Sequence, residues 1–139
     1  MAIHAIEVAA GLVFHEGRLL ITQRPTTGHL ANLWEFPGGK REPDETFEEC
    51  LRRELREELA IEIETGALLA DLEHAYAEKT VRLKFFRCRW VGGTPVAMGC
   101  QAFQWVDRSS LGHFTFPEAD RRLLEDLRNS TGWWDQPAV

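Results

Sequence analysis

Residues 38–61 read GGKREPDETFEECLRRELREELAI, and this stretch decides how the rest of the chain is read. Its second half predicts a helix over about 47–59. Thr46 followed three residues later by Glu49 fits a capping box, and Asp44 and Glu45 put negative charge at the positive end of the helix dipole. On a wheel of about 100° per residue with Phe47 at zero, Leu51, Leu55 and Leu59 fall at about 40°, 80° and 120° and mark the buried side. Arg52, Arg56 and Glu49 spread over about 140° to 200° and face solvent, whereas Glu54 and Glu58 fall at about −20° and 20°, beside the apolar stripe, with Glu57 at about −80°. A solvated charge run accounts for Glu48, Glu49, Arg52 and Arg56. It accounts badly for three acids at i, i+3 and i+4 on the core side, which repel one another and resist desolvation unless a cation or a proton relieves them. Clustered oxygen ligands suit a hard ion such as Mg²⁺ or Mn²⁺, which binds a few carboxylates together with substrate phosphate oxygens.

Working outward, Ile6–Phe14 and Arg18–Thr22 are apolar and rich in β-formers, with Glu16-Gly17 as a turn between them, so they read as a hairpin. Pro25–Asn32 is polar and turn-prone, and Trp34-Glu35-Phe36 is a short strand ended by Pro37-Gly38-Gly39. On the C-terminal side, Gly66–Tyr76 and Thr80–Trp90 predict two strands joined across Ala77-Glu78-Lys79, and Ala102–Val106 a further one. A last helix is expected over about Pro117–Arg128, with Leu123, Leu124 and Leu127 on one face. Strands mixed with two substantial helices predict an α+β sandwich.

A chain of 139 residues with 44% hydrophobic content suits one domain over 1–139, with no internal repeat or linker. The formal net charge of −6 argues against long nucleic acid, which demands clustered Lys and Arg. A small phosphorylated ligand stays compatible, because a bound cation reverses the local field of an acidic pocket. Cys50, Cys88 and Cys100 form no C-x-x-C pair and read as thiols in a reducing cytoplasm. Glu7 interrupts the N-terminal apolar run, no basic cluster precedes it, and no run reaches the roughly 20 apolar residues of a membrane span. The expectation is a soluble cytoplasmic protein without a membrane partner, either monomer or homodimer.

Gly39, Glu45, Arg53-Glu54-Leu55, Glu57-Glu58 and Ile61 stand at the spacing of the Nudix box, G-x5-E-x7-R-E-U-x-E-E-x-G-U with U a bulky aliphatic residue, and the chain resembles the Nudix hydrolases over these 23 residues. The resemblance implies an α/β/α sandwich whose mixed sheet is flanked by the box helix and a C-terminal helix. It also implies metal-dependent hydrolysis of a pyrophosphate linkage. Glu57 and Glu58, with the Gly38 carbonyl, resemble metal ligands. Glu54 resembles the acid that binds metal or activates water, with Arg53 orienting these carboxylates and Glu45 supporting from behind. Gln23-Arg24-Pro25, His29–Lys40 and Phe116–Asp120 extend the resemblance to the MutT-like branch, whose substrates include oxidised deoxyguanosine triphosphate and cytidine nucleotides. On that basis Arg24, Gly39 and Lys40 stand on the phosphate side of a nucleotide, and Asp120 at the position that reads the base edge. The alternative for Asp120 is an acid in the first turn of the last helix.

Two departures from the pattern are visible. Ala60 replaces the second box glycine, where a left-handed helix end favours glycine, at a cost of about 1 kcal/mol. Six residues before Trp105, where this branch commonly carries a glutamate, stands Gly99, leaving Glu54 as base alone or with an acid from a loop such as Glu78 or Glu118. The expected reaction is nucleoside triphosphate to monophosphate plus pyrophosphate, with Mg²⁺ or Mn²⁺. The alternatives are a hydrolase of nucleoside diphosphate sugars such as ADP-ribose and a domain that senses nucleotide without turning it over. No D-x-D-x-D-G loop supports a Ca²⁺-binding structural protein.

Overall fold

Strands β1 (Ala5–His15) and β2 (Arg18–Gln23) form the hairpin expected from Glu16-Gly17. Both turn residues have positive φ, 50° and 75°, the twist that lets two-residue hairpins close. The computed structural model describes residues 5–135, so the outermost residues of the domain expected over 1–139 lie outside the described residues. Beyond the hairpin follow β3 (Trp34–Glu35), β4 (Gly38–Lys40), α1 (Phe47–Leu59), β5 (Glu62–Ala75), β6 (Thr80–Gly92), β7 (Ala102–Val106), α2 (Arg121–Asn129) and α3 (Thr131–Asp135).

The seven strands make one mixed sheet in the order β3-β2-β1-β6-β5, with β4 on β1 and β7 on β2. β1 and β6 run parallel and the other pairs antiparallel. Because side chains alternate along a strand, the sheet buries two separate sets. Ala9, Val13, Leu20, Phe86 and Cys88 pack against Leu51, Leu55 and Leu59 of α1. Leu12, Phe14, Leu19, Ile21 and Phe85 pack against Leu123 and Leu127 of α2 and Trp134 of α3. This is the α/β/α sandwich expected. Cys50, Cys88 and Cys100 are free thiols, the first two buried, and no helix among the described residues is long and apolar enough to cross a membrane.

Helix α1 has the expected bounds. Thr46 accepts from the Glu49 N–H at 3.0 Å and Glu49 accepts from the Thr46 N–H at 2.8 Å, closing the capping box. Ala60 ends the helix in the left-handed region (φ 58°, ψ 32°), its N–H donating to the Arg56 carbonyl and that of Ile61 to Leu55. Elsewhere the elements differ from expectation for local reasons. β5 starts at Glu62 rather than Gly66, because register shifts after Glu62, Thr65 and Leu68 interrupt the alternation by which a strand is recognised. The last helix is broken: Glu118–Asp120 is a 3₁₀ turn, and Asp120 at φ −91°, ψ 0° leads into α2. The 3₁₀ turn Arg108–His113 and α3 were not expected; both are short and carry glycine.

Candidate active site

Residues 38–40 form a strand that the sequence pattern hides. Val8, Ala9 and Ala10 of β1 pair with Lys40, Gly39 and Gly38, and the two glycines lie against the face of α1 that bears Glu54 and Glu58. Gly39 lies against Glu54. A β-carbon added to Gly39 would sit 2.2 Å from the Glu54 carboxyl carbon, so only glycine lets this carboxylate lie on the strand backbone. One residue earlier, the Gly38 N–H donates to Glu58 Oε2 at 3.2 Å.

Arg53 holds the acids in place. Its Nε and Nη2 donate to the two carboxylate oxygens of Glu45 at 3.0 and 2.6 Å, and its Nη1 reaches Glu54 at 3.0 Å and Glu57 at 3.2 Å. Nη2 also donates to the Lys40 carbonyl, tying α1 to β4. The hydrogen bonds from Arg53, helped by the Glu42 N–H, hold the Glu45 carboxyl down at about 2. Burial pushes the Glu54 carboxyl up, and Arg53 pulls it back. Glu58 is pushed up to about 8, by burial first and then by the charges of Glu35 and Glu54. Glu57 differs from the other two: its side chain is 59% exposed, against 19% for Glu54. Among the described residues no three carboxylate, imidazole or thiol groups converge as a ready ligand set. The donor chemistry nevertheless fits a hard divalent cation. Glu54 and Glu58 are oxygen donors whose charges oppose one another, and exposed Glu57, one turn on from Glu54 and next to Glu58, adds a third carboxylate on the same helix.

Of these acids Glu58 lines a cavity of about 350 Å³, which Glu35 also borders. Its floor follows from strand periodicity: the parallel register sets Ile6, Val8 and Ala10 beside Val81, Leu83 and Phe85, all facing the cavity. Gly38, Gly39 and Glu58 line the polar end. Asp120 is also in the wall, 6% exposed, without a side-chain capping bond. Burial, then the charge of Glu35, pushes its carboxyl up to about 7. Asp120 therefore does not cap α2 as an ordinary first-turn acid.

Arg24 and Lys40 line the same cavity. Lys40 is exposed at its rim. Two Arg24 donors are engaged, Nη1 with Glu35 at 3.0 Å and Nε with the His29 carbonyl at 2.9 Å. Glu35 is the acid that sequence reasoning missed. Burial raises its carboxyl against the opposing pull of Arg24, and its charge acts on both Glu58 and Asp120. Glu78 and Glu118, the acids expected from loops, are exposed and are not among the residues lining the cavity. Gly99 packs on α1 at Glu58, whose carbonyl accepts from the Met98 and Gly99 N–H groups at 2.9 and 3.1 Å.

The NUDIX domain family pattern matches residues 9–126. The chain belongs to the Nudix family. It is 38% identical over 120 residues to the CTP pyrophosphohydrolase of Escherichia coli K12, covering 86% of this chain and 89% of that one. It is 35% identical over 128 residues to the 8-oxo-dGTP diphosphatase of Haemophilus influenzae, covering 91% and 93%. The crystal structure of the MutT protein from Methanosarcina mazei Go1 superposes with a TM-score of 0.80 at 26% identity, covering 93% and 96% of the two chains. The protein is thus a MutT-like Nudix hydrolase, an enzyme acting on phosphoric anhydride bonds.

Proposed function

We propose that this Nudix hydrolase is a divalent-metal-dependent pyrophosphohydrolase, active in the cytoplasm, that converts a nucleoside triphosphate with a normal or modified base to the monophosphate and pyrophosphate. The observation that carries the reading is one cavity with an acidic, glycine-backed end and an apolar floor. The first suits a cation and phosphates, the second a base.

In this reading Glu57, Glu58 and the Gly38 carbonyl hold the cation, Mg²⁺ by preference or Mn²⁺, and Glu54 stands beside them. A bound divalent ion supplies charge neutralisation on phosphate oxygens and acidifies water. Glu54 takes the proton from the attacking water at its carboxylate oxygen; burial raises its basicity and Arg53 works against that rise. Arg53, locked by Glu45, fixes the direction of Glu54 and Glu57. Gly39 keeps the backbone low enough for phosphate to approach, Lys40 and Arg24 offset its charge, and Asp120 reads the base edge. The relatives named for CTP and 8-oxo-dGTP support a base-bearing triphosphate as substrate.

The test is a substrate panel with Mg²⁺, containing 8-oxo-dGTP, dGTP, dCTP, CTP and ADP-ribose, scored for pyrophosphate against orthophosphate. Pyrophosphate with monophosphate from a triphosphate is expected. Turnover of ADP-ribose alone, or binding without turnover on every compound, overturns the reading.

A further inference from the structure

Arg41 follows directly on β4 and has no part in the chemistry described above. Its N–H donates to the Glu7 carbonyl at 2.9 Å, which carries the pairing of β1 with β4 one residue past Val8 and Lys40. The side chain is partly buried and branches three ways. Nη2 donates to Glu7 Oε1 at 2.5 Å and so ties the guanidinium to β1. Nη1 donates to the Glu45 carbonyl at 2.8 Å and to the Glu42 carbonyl at 3.3 Å, across the loop that leads into α1. The guanidinium carbon stands 5.3 Å from the ring centre of Phe47, the first residue of α1, and Lys84 Nζ stands 4.2 Å from the same ring. Among the described residues Nε is buried without a partner. A buried donor left unpaired costs stability, which weighs against a merely stabilising role.

Glu45 is where this arrangement meets the acids. Its carbonyl is held by Arg41, one carboxylate oxygen takes the Glu42 N–H at 2.9 Å, and both oxygens take Arg53. Arg53 in turn donates to Glu54 and Glu57. Glu7, Arg41, Glu45 and Arg53 thus stand in series between β1 and these acids. We propose that Arg41 is a positioning residue: it pins the backbone of Glu45, so that Arg53 presents Glu54 and Glu57 in one direction. The proposal rests on the roles read for Arg53 and Glu54 in the proposed function. A planar guanidinium reaches Glu7 and the loop carbonyls at once because its donors diverge at fixed angles. A lysine ammonium, a point charge on a flexible stem, does not hold both.

The experiment compares wild type, Arg41→Met, Arg41→Lys and, as a control, Arg82→Met, which breaks the Arg82–Asp71 pair beside Glu7. The measurements are Tm, kcat and KM on dGTP and dCTP at saturating Mg²⁺, and, in metal-free protein, the ¹⁵N–¹H resonance of the Arg53 Nε–H that donates to Glu45. Groups that hold metal-ligating side chains in place are typically worth about 10–100-fold in activity. Arg41→Met is therefore expected to lower kcat about tenfold or more with KM within about threefold, and to shift the Arg53 resonance. Arg41→Lys is expected to lie between it and wild type on both readouts, and Arg82→Met to move Tm at most. Unchanged kcat in Arg41→Met overturns the proposal, as does a lowered kcat with the Arg53 resonance unmoved, or an equal change in Arg82→Met. Should Arg41→Met fail to fold, Arg41→Lys decides, and wild-type kcat or an unmoved resonance in it overturns the proposal. If wild type turns over no triphosphate, the proposed function fails instead, and the resonance alone then judges Arg41.

Discussion

Glu54 lies against Gly39 so closely that a β-carbon there would stand 2.3 Å from one carboxylate oxygen and 2.6 Å from the other. The glycine is thus a spatial requirement of the carboxylate. Gly39→Ala must either push β4 away from α1 or turn Glu54 out of its bond to Arg53, and reacting groups misplaced by about 1 Å cost on the order of a hundredfold in rate. A loss of that size in kcat, with Tm lowered by no more than a few degrees, is expected from steady-state kinetics and thermal melts. Near-normal kcat would show that Glu54 need not occupy this position.

Glu57→Gln and Glu58→Gln each remove a negative charge from the proposed cation site while keeping the side-chain size. Weaker Mg²⁺ binding and kcat lower by orders of magnitude are expected, because the reaction depends on the ion. Without added metal the two variants should differ. Glu58 is buried beside the charges of Glu35 and Glu54, so Glu58→Gln should melt no lower than wild type, and at neutral pH higher. Glu57→Gln, on an exposed side chain paired only with Arg53, should leave Tm nearly unmoved. Calorimetric titration with Mg²⁺ and melts in EDTA check both parts; full activity of either variant at limiting Mg²⁺ contradicts its assignment as a ligand.

The parts of the site that lie on α1 were legible because helical periodicity and capping are local. Thr46, Glu49 and the Leu51/Leu55/Leu59 stripe fixed its start and its buried face, and the structure begins and ends the helix where they imply. What was not legible depends on distant strands meeting. Gly38–Lys40 has no alternating side chains to announce a strand, and only its pairing with β1 makes it one. Glu35 read as an ordinary strand residue. Its influence on Glu58 and Asp120, far along the chain, exists only once the sheet has formed. The loop acids Glu78 and Glu118 were reasonable by chemistry, yet turn geometry leaves them in solvent. For Asp120 the sequence offered a base-reading position, with an acid in the first turn of the last helix as the alternative. Only the 3₁₀ turn before α2 decides for the cavity.

Ala60 offers a test of stability separate from catalysis. Its left-handed conformation, φ 58°, costs an alanine about 1–2 kcal/mol. Glycine removes that strain but adds about 0.4–1 kcal/mol of unfolded-chain entropy. Ala60→Gly should therefore stabilise the protein by about 0.5–1 kcal/mol, a rise of a few degrees in Tm. The kcat/KM should not change, because the bonds from the Ala60 and Ile61 N–H groups to Arg56 and Leu55 do not involve the Ala60 side chain. A lower Tm would mean that the methyl group makes a contact worth more than the strain.

The last prediction concerns Asp120, whose carboxyl is raised to about 7 by burial and by Glu35. Since the folded value lies above the ordinary 3.8, folding disfavours the ionised form. The stability held by the neutral acid is complete below about pH 3.8 and is lost as pH rises through about 7. Asp120→Asn cannot ionise, so its Tm should match wild type near pH 4 and exceed it increasingly up to about pH 8. Function should follow the same proton. A neutral carboxyl presents one donor and one acceptor to a base edge, as an amide does, whereas the carboxylate accepts only. Preference among 8-oxo-dGTP, dGTP and dCTP should therefore change between about pH 6 and about pH 8.5 in wild type and stay constant in Asp120→Asn. Asp120→Ala should flatten the preference, since a base left without its partner costs about 1–3 kcal/mol. Ratios of kcat/KM for the three substrates across pH measure this directly. Equal losses on all three at every pH, with the Tm relation intact, would leave Asp120 as a wall of the cavity and move base reading to its neighbours.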